Sequence, residues 1–281
     1  MAYTPKKASE VTGNKRFILI EGAPKHGKTV AAATISNKCP TTLPTKIPVY
    51  LDDIYIIQFD PDGMQSLLSL GLDAPAKDLS SCTTLDQLNA GFNAAIAEAK
   101  EGIKEGSVRA VIIDPLSTLD INTQMALKPM YDGEKDTGRF FGKVTEVQLR
   151  YIHALRGLGC HVVATTHIKA AGNPFGDQAQ LAAVKQATNI PGVATVVAEL
   201  TGRSGSQWKK ACTQILGVAC EKKGAESRFY FITRGKGYEA GGRFIGLDDE
   251  EPANLRLLLD KAERNAVIKS SAVLVDKKET T

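Results

Sequence analysis

The chain reads as a three-layer α/β protein, a mostly parallel sheet with helices on both faces. Three observations lead there. Short apolar runs alternate with longer stretches of helical periodicity. The first run is followed by Gly22-Ala23-Pro24-Lys25-His26-Gly27-Lys28-Thr29, the pattern G-x-x-x-x-G-K-T, and then by an Ala- and Thr-rich helical segment. The next two apolar runs are each followed by an aspartate, Asp60 and Asp114. Strands covered on both faces read as continuous apolar runs rather than as alternating ones, which is the mark of a parallel sheet between helices. The 281 residues, 43% hydrophobic and 23% charged, suffice for one large α/β domain or two small ones.

The elements follow in order. Residues 1–14 are polar and form an arm. Arg16-Phe17-Ile18-Leu19-Ile20 is a buried strand, and 28–39 a helix that the prolines 40, 44 and 48 end. Residues 54–59 are a strand running into Asp60-Pro61-Asp62-Gly63, a good turn sequence. Leu85, Leu88, Phe92 and Ile96 mark a helix over 85–99, and 108–113 is a strand ending at Asp114. Val144, Val147, Ile152 and Leu155 mark a helix over 142–158, which Gly159 stops. Residues 160–166 are a strand and 170–180 a polar loop. The strands 215–220 and 229–233 have a short charged connection that suits a hairpin. A helix over 255–262 precedes a frayed tail, 270–281. The expected organisation is an arm (1–14), a core (15–247) and a C-terminal helix with tail (248–281).

Bulk properties narrow the classes. The five cysteines are odd in number and form no C-x-x-C, which argues against a disulfide framework or a zinc site and for a reducing cytosol. No apolar run approaches the ~18 to 20 residues of a membrane span, and no signal-peptide core follows the start, so a cytoplasmic protein without a membrane partner is expected. The net charge of +4 permits contact with nucleic acid without demanding it.

The glycine-rich segment carries the chemistry. A strand, this motif and a helix together make a P-loop. The backbone N–H groups of 22–27 curl around phosphates, Lys28 reaches the β- and γ-phosphates, and the Thr29 hydroxyl takes a place on Mg²⁺. The N-K-x-D sequence that reads guanine is absent, which favours ATP. Asp114, ending an apolar strand, is the expected Mg²⁺ partner of Thr29. Asp60 and Asp62 follow the preceding strand. One of them, Asp62 by preference, is expected to orient the attacking water, with plain turn chemistry as the alternative. Thr166 and His167, ending the strand 160–166, are expected to sense the γ-phosphate; a satisfied, partly buried histidine is the alternative. Arg234 and Lys236, flanking Gly235, could reach a neighbouring subunit's γ-phosphate, or could simply line a solvated turn.

The order of these elements resembles RecA-like ATPases. Ala110-Val111-Ile112-Ile113-Asp114-Pro115-Leu116-Ser117 looks like their second nucleotide motif. Phe59-Asp60-Pro61-Asp62 falls where they carry a catalytic glutamate, and Thr166-His167 where they carry a polar pair. Over roughly residues 15–265 the chain resembles, more narrowly, phage-encoded ATPases of the Sak single-strand-annealing group. That resemblance implies an ATP- and Mg²⁺-dependent ATPase stimulated by single-stranded DNA. It also implies a role in phage recombination, repair or replication in the cytoplasm of an infected bacterium. Its partners would be further copies of itself in a ring or filament, and a single-strand-binding protein.

In such proteins the loops after the third and fourth strands face DNA, here 120–141 and 169–186. The first holds Lys128, Lys135 and Arg139 with Tyr131, Phe140 and Phe141, which suits phosphates and stacked bases, yet a lid or oligomer contact would use the same residues. Residues 203–236 are the more basic stretch and contain the only tryptophan, Trp208. Two other readings of the P-loop stay open: a small-molecule or nucleotide kinase, and a non-catalytic ATP-binding loader or assembly factor.

Overall fold

The structure, a computed structural model, describes residues 15–133, 137–170, 196–223, 226–235 and 238–276. The first half runs β1 (Phe17–Glu21), α1 (Lys28–Ala33), β2 (Val49–Tyr50), β3 (Ile54–Gln58), α2 (Pro61–Leu68), β4 (Leu72–Asp73), β5 (Ala76–Asp78) and α3 (Leu85–Lys104). It continues with β6 (Ala110–Asp114), α4 (Leu116–Leu127), a 3₁₀ turn (Lys128–Tyr131), α5 (Thr137–Arg156) and β7 (His161–Thr166). The rest is β8 (Ile168–Ala170), β9 (Val196–Ala198), α6 (Gly202–Ala211), β10 (Gln214–Lys223), β11 (Glu226–Ile232), β12 (Gly241–Gly242), β13 (Glu250–Pro252) and α7 (Leu255–Asp276).

The main sheet has the order β13-β11-β10-β1-β7-β6-β3-β5, with β12 also on β10. Every pair from β10 to β5 is parallel, while β11, β12 and β13 join antiparallel. The expected parallel sheet and hairpin are both present. Successive side chains point to opposite faces. Phe17, Leu19, Tyr55, Ile57, Val111, Ile113, Val162 and Ala164 therefore face a core shared with α3, α4, α5 and α6. Ile18, Ile20, Ile54, Ile56, Ala110, Ile112 and Val163 face the other core, closed by α1, α2 and α7. Each Val, Leu or Ile among them, fully buried, stabilises the fold by roughly 1.5–3 kcal/mol.

Register sets the site. Ile20 lies beside Thr165, Ile113 beside Ala164 and Gln58 beside Asp114. The carboxyl ends of β1, β7, β6 and β3 thus share one edge, where ligands bind in open α/β sheets.

Several expectations are corrected. The first helix is not 28–39 but only Lys28–Ala33. Beyond it, the Thr34 hydroxyl donates to the Ala31 carbonyl and the Ser36 hydroxyl to Asp53, which competes with further helical turns. Asp60-Pro61-Asp62-Gly63 is not a turn but the start of α2, with Asp60 as N-cap accepting from the Asp62 N–H and Pro61 in the first turn. Residues 120–141, expected as a loop, are largely helical, and α5 begins at Thr137 rather than 142. The helix α4 lies between α3, α5 and β7, so no clean apolar stripe advertises it: Ser117, Asp120 and Thr123 are buried along with Leu116, Leu119 and Leu127. Its buried polar groups are satisfied by neighbours, Asp120 by the Thr201 N–H at 2.9 Å and Ser204 Oγ at 3.0 Å. The acidic stretch before α7 contains an unexpected edge strand, β13, and α7 runs on to Asp276 through most of the expected tail. The arm 1–14, Lys135, residues 171–195 and Lys236 lie outside the described residues.

Candidate nucleotide site

The P-loop joins β1 to α1. Lys25 takes φ of +62° and Gly27 φ of +76°. Left-handed residues alternating with ordinary ones aim successive N–H groups into one concavity, a nest for an anion. Gly27 serves a second purpose, since a Cβ there would stand 3.1 Å from the Phe229 ring. At Gly22 a Cβ would stand 2.6 Å from the Val218 side chain, and the Gly22 N–H donates to the Thr166 carbonyl at 3.2 Å.

Lys28 is buried at 7% exposure. Its Nζ donates to the Ala23 carbonyl at 2.9 Å and to His167 Nδ1 at 3.2 Å. Burial lowers the Lys28 pKa to about 8, against the opposing pull of Asp114, Asp60 and Glu199. Burial likewise lowers His167 to about 4, aided by the Lys28 charge, so the ring is neutral at pH 7. Because an ammonium only donates, Nδ1 must accept and Nε2 carries the proton. His26, also in the loop, has its pKa lowered by burial and by Lys28, and its buried Nδ1 has no hydrogen-bond partner among the described residues.

Thr29 Oγ1 donates to Asp114 Oδ2 at 2.7 Å, and the Thr165 hydroxyl donates to the other oxygen. Burial raises the Asp114 pKa, and these hydrogen bonds oppose it. A hydroxyl and a carboxylate side by side are hard oxygen donors. They fit Mg²⁺, which takes one or two protein ligands and completes its shell with water and phosphate. The thiol- and imidazole-rich alternative is missing, since no group of three His, Cys, Asp or Glu side chains gathers around one point among the described residues.

These groups line a cavity of about 550 Å³ together with Asp60, Asp62, Ser66 and Ser69 of the α2 wall. The Asp60 charge acts on Lys28, Asp114 and His167. Asp62 sits in the exposed first turn of α2 and lines the same cavity. Thr166 is fully buried with its hydroxyl on the His167 carbonyl at 3.2 Å; the alternation of β7 sends Thr165, not Thr166, to Asp114. Pro24 and Lys25 line the cavity, whereas Arg234 is exposed beyond the end of β11.

Sequence reading did not single out Gly63 or Glu199. Gly63 looked like turn punctuation, yet a Cβ there would lie 2.3 Å from Asp114 Oδ2. Glu199 lies after β9, far from the motifs in sequence, and nothing local marks it.

There is a second cavity, of about 600 Å³. Lys169 of β8, Lys209 and Lys210 of α6, and Glu239 line it together with Val197, Ala198 and Leu200. Lys209 pairs with Glu239.

The chain is thus a three-layer α/β protein, a mostly parallel sheet between two helical layers, with a glycine-rich loop after β1 and an aspartate ending β6. No family model and no curated protein matches the chain. Among solved structures, it is similar to the KaiC-like protein PH0186 from the hyperthermophilic archaeon Pyrococcus horikoshii OT3. The two are 14% identical with a TM-score of 0.43, over 78% of this chain and 79% of that one. No helix among the described residues is long and apolar enough to cross a membrane.

Proposed function

We propose that this chain is an Mg²⁺-dependent ATPase that works on single-stranded DNA. The observation that carries the ATPase reading is the convergence of a phosphate-type nest, a buried lysine and a Thr29–Asp114 oxygen pair in one cavity. Thr29 and Asp114 would hold Mg²⁺, which when bound would offset the negative charge of the phosphates. In the reaction, a water oxygen bonds to the γ-phosphorus as the bond to the β,γ-bridging oxygen breaks. ADP leaves with that electron pair, and the water's proton passes to a base or solvent. Lys28 exchanges its contacts with Ala23 and His167 for the phosphate oxygens. His167, at the mouth of β8, then loses its lysine partner and reports the change. Asp62, lining the cavity beyond the Asp60 cap, orients the water. Arg234 and Lys236 act from a neighbouring copy in a ring or filament.

The nucleic-acid part rests on the lysine-lined cavity, whose three cations outnumber its one carboxylate. Resemblance to the phage Sak group extends the reading to recombination, repair or replication in the infected host, alongside a single-strand-binding protein. The test is steady-state ATPase activity with and without an oligothymidylate, on wild type and Lys28→Ala. A DNA-stimulated rate that Lys28→Ala abolishes supports the reading. ATP consumption only in the presence of a small phosphate acceptor would make the chain a kinase instead.

A further inference from the structure

β8 and β9 form a short antiparallel ribbon, with Ile168 opposite Ala198 and Lys169 opposite Val197. The ribbon leaves the sheet at His167 and returns at Glu199, whose N–H donates to the His167 carbonyl at 2.7 Å. His167 itself accepts from Lys28 Nζ at 3.2 Å, so a single residue separates Glu199 from the P-loop lysine. The half-buried Glu199 carboxylate acts on the Lys28 ammonium, as those of Asp114 and Asp60 do. Those two have other employment. Asp114 accepts from Thr29 and Thr165, and Asp60 caps α2. Glu199 approaches from the β7 side of the site and Asp60 from the β3 side, with β6 between them.

The chain around Glu199 also faces the other cavity. Val197, Ala198 and Leu200 are part of its wall, and Lys169 Nζ donates to the Leu200 carbonyl at 3.3 Å. One stretch, 197–200, therefore walls the lysine cavity through Val197, Ala198 and Leu200 and is tied through the Glu199 N–H to His167, which lines the nucleotide cavity.

We infer that Glu199 is a further carboxylate of the nucleotide site, set against the terminal phosphate, and that what fills the lysine cavity controls its placement. A carboxylate beside a triphosphate is repelled by it, so it weakens substrate binding. It aids turnover only if it accepts a hydrogen bond from the attacking water, an interaction that strengthens in the transition state. An anionic strand that draws Lys169 off the Leu200 carbonyl would move Glu199 with the ribbon. The inference deepens the ATPase reading and rests on it.

The experiment uses full-length wild type, Glu199→Gln and Glu199→Asp, with far-ultraviolet circular dichroism to check folding. Glu199→Gln should lower kcat by about 100-fold while KM falls, and Glu199→Asp should recover part of the loss in kcat. A second readout needs no hydrolysis. Affinities for a non-hydrolysable ATP analogue and for ADP are measured by fluorescent-nucleotide displacement. Removing one negative charge near the γ-phosphate should raise the ratio of analogue to ADP affinity by roughly threefold or more. Oligothymidylate should stimulate wild type and not Glu199→Gln. A kcat within about twofold of wild type, or an unchanged affinity ratio, overturns the placement of Glu199. Equal stimulation of both proteins overturns the link to the cavity. If wild type hydrolyses no ATP, the ATPase reading fails, and the affinity ratio alone then decides where Glu199 sits.

Discussion

Gly63→Ala offers a sharp test because local and tertiary effects oppose each other there. Gly63 lies in the first turn of α2, where alanine should help: in a helix interior the exchange is worth about 1 kcal/mol. The tertiary environment reverses the sign. The new Cβ would stand 2.3 Å from Asp114 Oδ2, about 1 Å short of the 3.4 Å at which ordinary contact begins, and 3.5 Å from Thr29 Oγ1. Asp114 Oδ2 is not the end of a flexible side chain. Asp114 is 3% exposed and is held by two hydroxyls, so it cannot swing aside without losing them. Either Asp114 turns and the Thr29 pairing breaks, or α2 lifts away and takes Asp60 and Asp62 with it. In both cases the oxygen pair suited to Mg²⁺ is dismantled. Losing one well-placed charge-assisted bond costs about 1.5–3 kcal/mol, or roughly 10- to 150-fold in Mg²⁺-dependent nucleotide affinity. The assay is fluorescent ATP-analogue binding titrated with Mg²⁺, beside thermal unfolding in the absence of nucleotide. The expected result is a weakened Mg²⁺ dependence with an unfolding temperature lowered by only a few degrees. Wild-type Mg²⁺ dependence in Gly63→Ala would refute the reasoning, because it would mean that Asp114 is not where the nucleotide's metal binds.

Three further outcomes are expected. Glu21, fully buried before the P-loop with no partner for Oε2 among the described residues, has its pKa raised to about 8 by burial and then by Glu239. Its contribution to stability is complete below the unfolded value of 4.5 and is lost as pH rises through about 8, so Glu21→Gln should flatten the profile and stabilise the protein above pH 8 by a few kcal/mol. Urea unfolding at about pH 5 and about pH 9 checks this; parallel profiles would refute it. Gln148 accepts from Trp208 Nε1 at 2.8 Å and donates to Thr123 Oγ1 at 3.0 Å, all three side chains being buried. Gln148→Leu should therefore cost about 1–3 kcal/mol and shift Trp208 fluorescence, whereas an unchanged urea midpoint would show the network to be dispensable. In the lysine cavity, Lys210→Gln should lower the salt dependence of oligothymidylate binding by about one charge, and Lys209→Gln by less because Glu239 already pairs with it. Salt titrations of fluorescence anisotropy give both slopes, and equal slopes in all three proteins would place the DNA elsewhere.

The parts of this protein legible in the sequence are those whose physics is local. A continuous apolar run such as 16–20 or 108–113 must be covered on both sides, so the parallel sheet follows from it. Residues 22–29 place a glycine at position 27, where left-handed backbone is needed, and a lysine and a threonine at the start of a helix. The hairpin of β10 and β11 follows from two apolar runs with a short charged link. Other features depended on what packs against what. Asp60 reads as a turn residue until α2 is seen to use it as a cap. α4 hides its helical character because Asp120 and Thr123 are buried against partners from α5, α6 and the segment before it, and pattern cannot announce such partners. Gly63 acquires its meaning only from an aspartate 51 positions later that register brings beneath it. Glu199 enters the site because β8 and β9 pair and return the chain to His167. Phosphate-binding chemistry is written in adjacent residues, since one turn of backbone builds it. The carboxylates around it come from separate strands, and only the sheet's order and register decide which of them meet.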